Sequence, residues 1–228
     1  MTVQARSVFV TGGTGYMGSR LIVRLMERGH RVRALARRGS EARVPVGAQV
    51  VTGDALDATT FVGALSPDDT LVHLVGTPHP SPSKATEFQR VDLPSIRASV
   101  AAAQEASIAH LVYVSVGHPA PMMKDYIAVR AAGEAMIAAA GLTATALRPW
   151  YVLGPGHWWP LLLVPAYAIA ELLPPTREGA RRLGLVTLPQ MIRALVQAVE
   201  APPPRATLRI VDVPAIRRAR LVQALSGP

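Results

Sequence analysis

The segment SVFVTGGTGYMGSRLIVRLMERG (7–29) constrains this chain more than any other stretch of it. An apolar, β-rich run ends at Thr11, glycines follow at 12, 13, 15 and 18, and LIVRLMER (21–28) carries apolar residues at helical spacing. Gly13, Gly15 and Gly18 fit the pattern G-x-G-x-x-G between a strand and a helix. Each glycine has a mechanical task there: a tight turn, close approach of the backbone to a pyrophosphate, and close packing of helix on strand. The helix start adds free N–H groups and about half a unit of positive charge. An ordinary strand-to-helix turn needs one glycine. This order of elements instead points to a dinucleotide, held by Gly12, Gly13, Thr14, Gly15, Tyr16, Met17 and Gly18.

The pattern continues to about residue 150. Strand candidates recur at 31–36, 49–53, 70–76, 110–116 and 143–149, and helix candidates lie around 58–65, 86–107 and 125–140. Pro94 should kink the second of these helices or mark its true start. Alternation of this kind predicts an α/β fold with a doubly wound, mostly parallel sheet of the Rossmann type. After residue 150 prolines cluster and the alternation weakens, which suggests a small irregular C-terminal cap over 151–188. A helix near 189–200, a strand at 207–212 and a last helix near 214–225 should follow. The expectation is one domain spanning 1–228, since the tail is too short to fold separately.

Composition narrows the function. None of the 228 residues is cysteine, which removes disulfide scaffolds, thiol chemistry and Cys-ligated metals. None of the six histidines has the H-x-x-x-H spacing of a helical metal site, so a metal is not expected. The net charge of +9 permits anionic partners, yet no zinc-finger spacing or aromatic-basic repeat accompanies it. Nucleic acid is therefore not expected. The apolar stretch Trp158–Leu173 is interrupted by Pro160, Pro165 and Glu171 and falls short of the about 20 residues a bilayer span requires. With no leader-like start, a cytoplasmic location is expected.

The choice of cofactor should be made about 20 residues beyond the glycine pattern, where an acid would accept the ribose 2′-hydroxyl of NAD. Arg37 and Arg38 stand there instead. A guanidinium pairs with a 2′-phosphate through charge-assisted hydrogen bonds, so NADP(H) is expected in preference to NAD(H), which stays open.

With Thr11, Gly12, Gly15 and Gly18 filling the frame T-G-x-x-G-x-x-G, the chain resembles the short-chain dehydrogenase/reductase superfamily. It is most similar to the atypical branch that holds NmrA-like proteins and the 39 kDa accessory subunit of NADH-ubiquinone oxidoreductase. The resemblance covers 7–156. It implies that Asp54 and Ala55 border the adenine, and Leu74, Val75 and Gly76 the adenosine ribose. The Arg148–Gly156 segment resembles the family's R-P-x-x-V-x-G-P-G, which places Pro149, Trp150, Tyr151 and Val152 near the nicotinamide. The family's catalytic Tyr-x-x-x-Lys becomes Tyr126-Ile127-Ala128-Val129-Arg130, with Ser115 as the upstream serine. By that resemblance Tyr126 is the acid, Arg130 orients tyrosine and ribose, and Ser115 holds the substrate oxygen. Four residues apart on one helix, Tyr126 and Arg130 share a face. An arginine cannot relay a proton as the family's lysine can, so Tyr126 either acts in turnover or only lines a cofactor site.

Three functions follow. The first is an oxidoreductase moving hydride to or from an apolar carbonyl or quinone-like small molecule. The second is a non-catalytic sensor or accessory protein that binds NAD(P)(H), which leaves open an accessory partner or a homo-oligomer. The third and weakest is a nucleotide-sugar epimerase or dehydratase, disfavoured by the small cap. Trp158 and Trp159 could line a hydrophobic pocket, form a subunit contact or touch a membrane surface. His79, in the proline-rich loop 77–83, borders the pocket or belongs to a stiff surface connection. Glu134 is expected to pair with an arginine rather than do chemistry.

Overall fold

The computed structural model describes residues 4–156 and 177–221. Seven strands form one sheet, all parallel: β1 (Ser7–Thr11), β2 (Arg31–Ala36), β3 (Gln49–Thr52), β4 (Asp69–His73), β5 (His110–Val114), β6 (Ala144–Leu147) and β9 (Leu208–Val211). Their order is β3-β2-β1-β4-β5-β6-β9. The chain winds outward from β1 in one direction and then, from β4, in the other. That reversal opens a crevice at the carboxyl ends of β1 and β4, where open α/β sheets bind ligands.

The strands could be read from the sequence because both faces of the sheet are covered, which makes them nearly continuous apolar runs. Alternate side chains enter two cores. Val8, Val10, Val72, Val112 and Leu147 face one layer, and Phe9, Leu71, Leu111, Tyr113 and Ala146 face the other. Helix α1 (Tyr16–Glu27) joins the first core through Leu21, Ile22 and Leu25. Helices α2 (Leu93–Glu105) and α3 (Lys124–Ala139) cover the second face through residues such as Ile96 and Ile137. After a short helix α4 (Arg177–Arg182), helices α5 (Leu188–Glu200) and α6 (Val213–Arg218) complete the first face. Helix α5 starts on a capping box in which Thr187 and Gln190 satisfy each other's backbone N–H groups.

Two expectations need correction. Residues 58–65 form two single 3₁₀ turns, Ala58–Thr60 and Val62–Ala64, rather than a helix. The Asp57 side chain accepts the Thr59 N–H, and Phe61 is buried in the core while Ala58, Val62, Ala64 and Leu65 pack against it half-buried. The region after 150 also holds strand structure that its proline-rich texture hid: β7 (Tyr151–Leu153) and β8 (Leu185–Thr187) pair in parallel. Pro94 marks the start of α2 at its second residue, after a short helical turn Ala85–Glu87 and a π-helical turn Phe88–Asp92. The Trp158–Trp159 pair and the rest of 157–176 lie outside the described residues, as do 222–228. The last helix, expected near 214–225, ends already at Arg218, where Ala219 turns to extended backbone.

Two histidines are buried in the sheet. His73 contacts the hydroxyls of Thr11 (3.0 Å) and Ser99 (2.9 Å), and His110 that of Thr145 (3.0 Å). Burial, reinforced by Arg130, holds His73 down at about 3. Burial, with Arg209 and Arg6 adding to it, does the same for His110. Both pKa values lie below that of an unfolded histidine, so the unfolded chain takes up protons that the fold refuses. Their contribution to stability is complete above about pH 6.5 and is lost as pH falls toward 3, by roughly 1.4 kcal/mol per unit for each histidine. Urea unfolding at pH 7 and pH 5 should therefore differ by roughly 2–4 kcal/mol. His110→Gln should remove about half of the difference, whereas equal stability at both pH values contradicts the burial of neutral imidazoles.

Candidate cofactor and active site

The glycine turn sits at the crevice. Gly12 follows β1 with φ +76°, and a side chain there would come within 2.8 Å of the Leu74 carbonyl carbon. The Leu74 N–H donates to the Thr11 carbonyl at 3.1 Å, which ties the end of β4 to the turn. Gly18, in the first turn of α1, lies so close to Gly12 and Gly13 that an added Cβ would overlap the Gly12 carbonyl oxygen and stand 2.8 Å from the Gly13 Cα. Gly15 is the N-cap of α1, and no side chain caps it. The first turn of α1 holds no acidic residue. A cradle of main-chain amides at an uncapped helix start fits a diphosphate. Arg20 lies over the Tyr16 ring, and the Tyr16 hydroxyl reaches Gly154, which links the turn to the segment after β6.

Arg37 and Arg38 are exposed directly after β2, at the edge of the crevice. Arg43, which the sequence did not single out, reaches the same place: its Nη2 donates to the Thr14 carbonyl at 3.4 Å. Asp54 and Ala55 follow β3, with Asp54 Oδ1 accepting the Leu56 N–H at 3.0 Å. Leu74, Val75 and Gly76 follow β4 and are half-buried.

On the far side of the crevice Tyr126 and Arg130 share one face of α3, with the Arg130 guanidinium carbon 5.1 Å from the Tyr126 ring centre. Phe88 packs against the other side of that ring at 4.9 Å. Arg130 is buried, and its terminal nitrogens serve the protein itself. They donate to the carbonyls of Val75 (3.4 Å) and Val114 (3.0 Å) and to Asp92 Oδ1 at 2.6 Å. Asp92 is 1% exposed and also accepts the Thr77 N–H (2.9 Å) and hydroxyl (2.6 Å). Gly76 has no side chain where the guanidinium lies; a Cβ there would overlap Arg130 Nη2. Burial opposes the Arg130 charge, but Tyr126, Tyr113 and Asp92 outweigh it and hold its pKa above that of a free guanidinium. Arg130 is thus a fixed charge behind Tyr126, and its terminal donors are directed inward rather than toward a ribose.

Ser115 ends the β5 segment at 2% exposure, beside Glu134. Glu134 grips Arg148 with both oxygens, the Nε–Oε1 distance being 2.9 Å, as expected for an acid paired with an arginine. Burial raises the Glu134 pKa, but Arg148, Ser115 and His118 together hold it below the usual value. Pro149 is buried and accepts the Gly117 N–H at 2.8 Å, and Trp150 meets Tyr151 edge-on at 5.8 Å. A cavity of about 360 Å³ opens beside these groups at the ends of β5, β6 and β9, lined by His118, Arg148, Arg182 and Asp212 among others. In the loop after β4, Thr77 is buried against Asp92, and His79 adopts φ +48°.

Residues 12–154 match the model of a family described as NAD(P)H-binding. The chain belongs to that family. Its fold is that of short-chain dehydrogenases/reductases, and curated proteins similar to it are named reductases and dehydrogenases. It is 28% identical over 222 residues to "Ceramide reductase" of Caulobacter vibrioides (strain NA1000 / CB15N), covering 96% of this chain and 68% of that one. It is 30% identical over 168 residues to "4-hydroxy-2-methyl-3-oxo-4-farnesyl-3,4-dihydroquinoline-1-oxide ketoreductase" of Stigmatella aurantiaca, covering 64% of this chain and 50% of that one. The chain thus spans about two-thirds of one relative and half of the other. Among solved structures it resembles MoeE5 in complex with UDP-glucose and NAD, with TM-score 0.66 and 22% identity over 90% of this chain and 75% of that one. Among the described residues no helix is long and apolar enough to cross a membrane.

Proposed function

We propose that the chain is an NADP(H)-dependent oxidoreductase acting on an apolar carbonyl or quinone-like compound. The observation that carries the reading is that the glycine turn at the topological switch and the Tyr126–Arg130 pair both pack against the end of β4, Gly12 on Leu74 and Val75 and the guanidinium on the Val75 carbonyl. A bound nicotinamide would supply or accept the hydride. The main-chain amides of Gly12–Gly18 hold the diphosphate, and Arg37, with Arg38 beside it, pairs with the 2′-phosphate. Asp54 and Ala55 border the adenine, and Pro149–Val152 the nicotinamide. Tyr126 donates the proton to the carbonyl oxygen, while Arg130 keeps the phenol in place and supplies fixed positive charge. Ser115 orients the substrate oxygen through the same pocket wall. Relatives whose names include ceramide and a farnesyl quinoline support an apolar substrate.

Tyr126→Phe should lower the rate of hydride transfer from NADPH to a panel of quinones and aldehydes by roughly 10²–10⁴-fold. The Kd for NADPH should stay within a few-fold. Equal rates in both proteins would remove Tyr126 from the mechanism. The inward-directed Arg130 and the buried Ser115 favour the alternative, a protein that binds the cofactor without turnover. No hydride transfer with any of the panel, together with normal NADPH binding, selects it. Arg37→Asp should weaken NADPH by about 10–100-fold and leave NADH unchanged, a charged hydrogen bond being worth ~1.5–3 kcal/mol. Unchanged NADPH affinity excludes Arg37 as the 2′-phosphate partner.

A further inference from the structure

On the sheet face that carries α1 and α5, a groove of about 850 Å³ is lined by Arg24, Arg193, Arg217, Arg218, Arg220 and Leu221. The five arginines come from three segments: α1, α5 and the end of α6 with the residues after it. No carboxylate is among the described residues that line it. Arg24 also meets Glu27 at 2.8 Å, and the Arg217 Nε donates to the Leu185 carbonyl at 2.9 Å, so two of the five are held in place. Packing does not require this charge, because Val213, Ile216 and Ala219 anchor α6 and the residue after it in the core. Guanidiniums gathered against a low-dielectric wall repel one another and together create a positive potential of several kT. A polyanion relieves that repulsion.

We propose that this groove docks the protein on an anionic bilayer, its guanidiniums taking the phosphates of lipid headgroups. Guanidinium matches phosphate through paired N–H donors, and each basic residue near an anionic surface raises partition about 5-fold. The position of the groove fits the task. Helix α6 divides it from the cavity at the ends of β5, β6 and β9: Pro214 in the first turn lines the cavity, and Arg217 and Arg218 in the last turn line the groove. The proposal rests on the apolar-substrate reading given above, since a compound of that class partitions into bilayers and docking would set the cavity beside its source.

Vesicles of phosphatidylcholine alone and of phosphatidylcholine with phosphatidylglycerol test the proposal by co-sedimentation with the full chain. Binding is expected to the mixed vesicles only and should weaken as ionic strength rises, because the interaction is screened. The doubly substituted Arg218→Glu, Arg220→Glu protein should lose at least about 25-fold in partition, with NADPH affinity and melting temperature unchanged. No binding to mixed vesicles, or equal binding by the variant, overturns the proposal. So does duplex DNA that displaces the protein from vesicles at equal charge concentration, because the groove would then be a general polyanion surface. Failure here with intact transfer to a water-soluble carbonyl leaves the oxidoreductase reading standing. Vesicle binding together with normal NADPH binding and no hydride transfer to any of the panel has the opposite meaning.

Discussion

Gly18→Ala abolishes dinucleotide binding while the protein stays folded. The added methyl would overlap the Gly12 carbonyl oxygen and stand 2.8 Å from the Gly13 Cα, and both are backbone atoms that no side-chain rotation can move aside. Relief requires the first turn of α1 to separate from the glycine turn. That separation pulls apart the amides that must converge on one diphosphate, and the start of the helix moves with them. The expected loss is at least about 100-fold in NADPH affinity, at a stability cost of roughly 1–3 kcal/mol for the overpacked contact. Gly63→Ala is the control, because an added methyl there meets nothing within 4 Å. Isothermal titration of the three proteins decides. A Gly18→Ala protein that binds NADPH as the wild type does would show that the turn is not the diphosphate site.

Arg130→Met lowers stability by about 3–5 kcal/mol, the range for breaking a buried pair by removing one partner. At this chain length that corresponds to roughly 6–20 °C in Tm. Asp92 is 1% exposed, and without the guanidinium its carboxylate keeps, among the described residues, the N–H and hydroxyl of Thr77. The carbonyls of Val75 and Val114 lose a donor at the same time. Asp92→Asn in the Arg130→Met background should restore part of the loss, because a neutral amide is cheaper to bury than an unpaired carboxylate. Thermal melts of the single and double variants test this. A single variant within about 1 kcal/mol of wild type, or a double variant less stable than the single, contradicts the pair as drawn.

Much of the fold is legible in the sequence because parallel strands are covered on both faces, so VFV (8–10), LVH (71–73) and LVYV (111–114) read as apolar runs. The glycine turn is equally plain, since its spacing records the backbone contacts themselves. What escaped has a common cause: it depends on partners distant in sequence or on elements too short to show a period. The 58–65 segment looks helical in sequence, yet Phe61 is its one fully buried residue and its other apolar residues sit half-buried on two separate 3₁₀ turns. Strands β7 and β8 are three residues each, too brief for an alternation to show. Asp92 lies 38 residues from Arg130, and the packing of α3 against the Phe88–Asp92 turn and α2 brings them together. A lone aspartate two residues before Pro94 is the available signal, and by itself it marks no partner. Arg43 reaches the glycine turn from a surface loop, among so many arginines that its position carried no distinguishing mark.

The central claim is that the turn after β1 holds the diphosphate of a pyridine dinucleotide and that the arginines after β2 read its extra phosphate. Titration of the full chain with NADPH and with NADH in a calorimeter tests it most directly. Saturable one-site binding of NADPH is expected, with NADH weaker by about 10–100-fold. Absence of heat with either nucleotide, from protein that melts cooperatively, would contradict it.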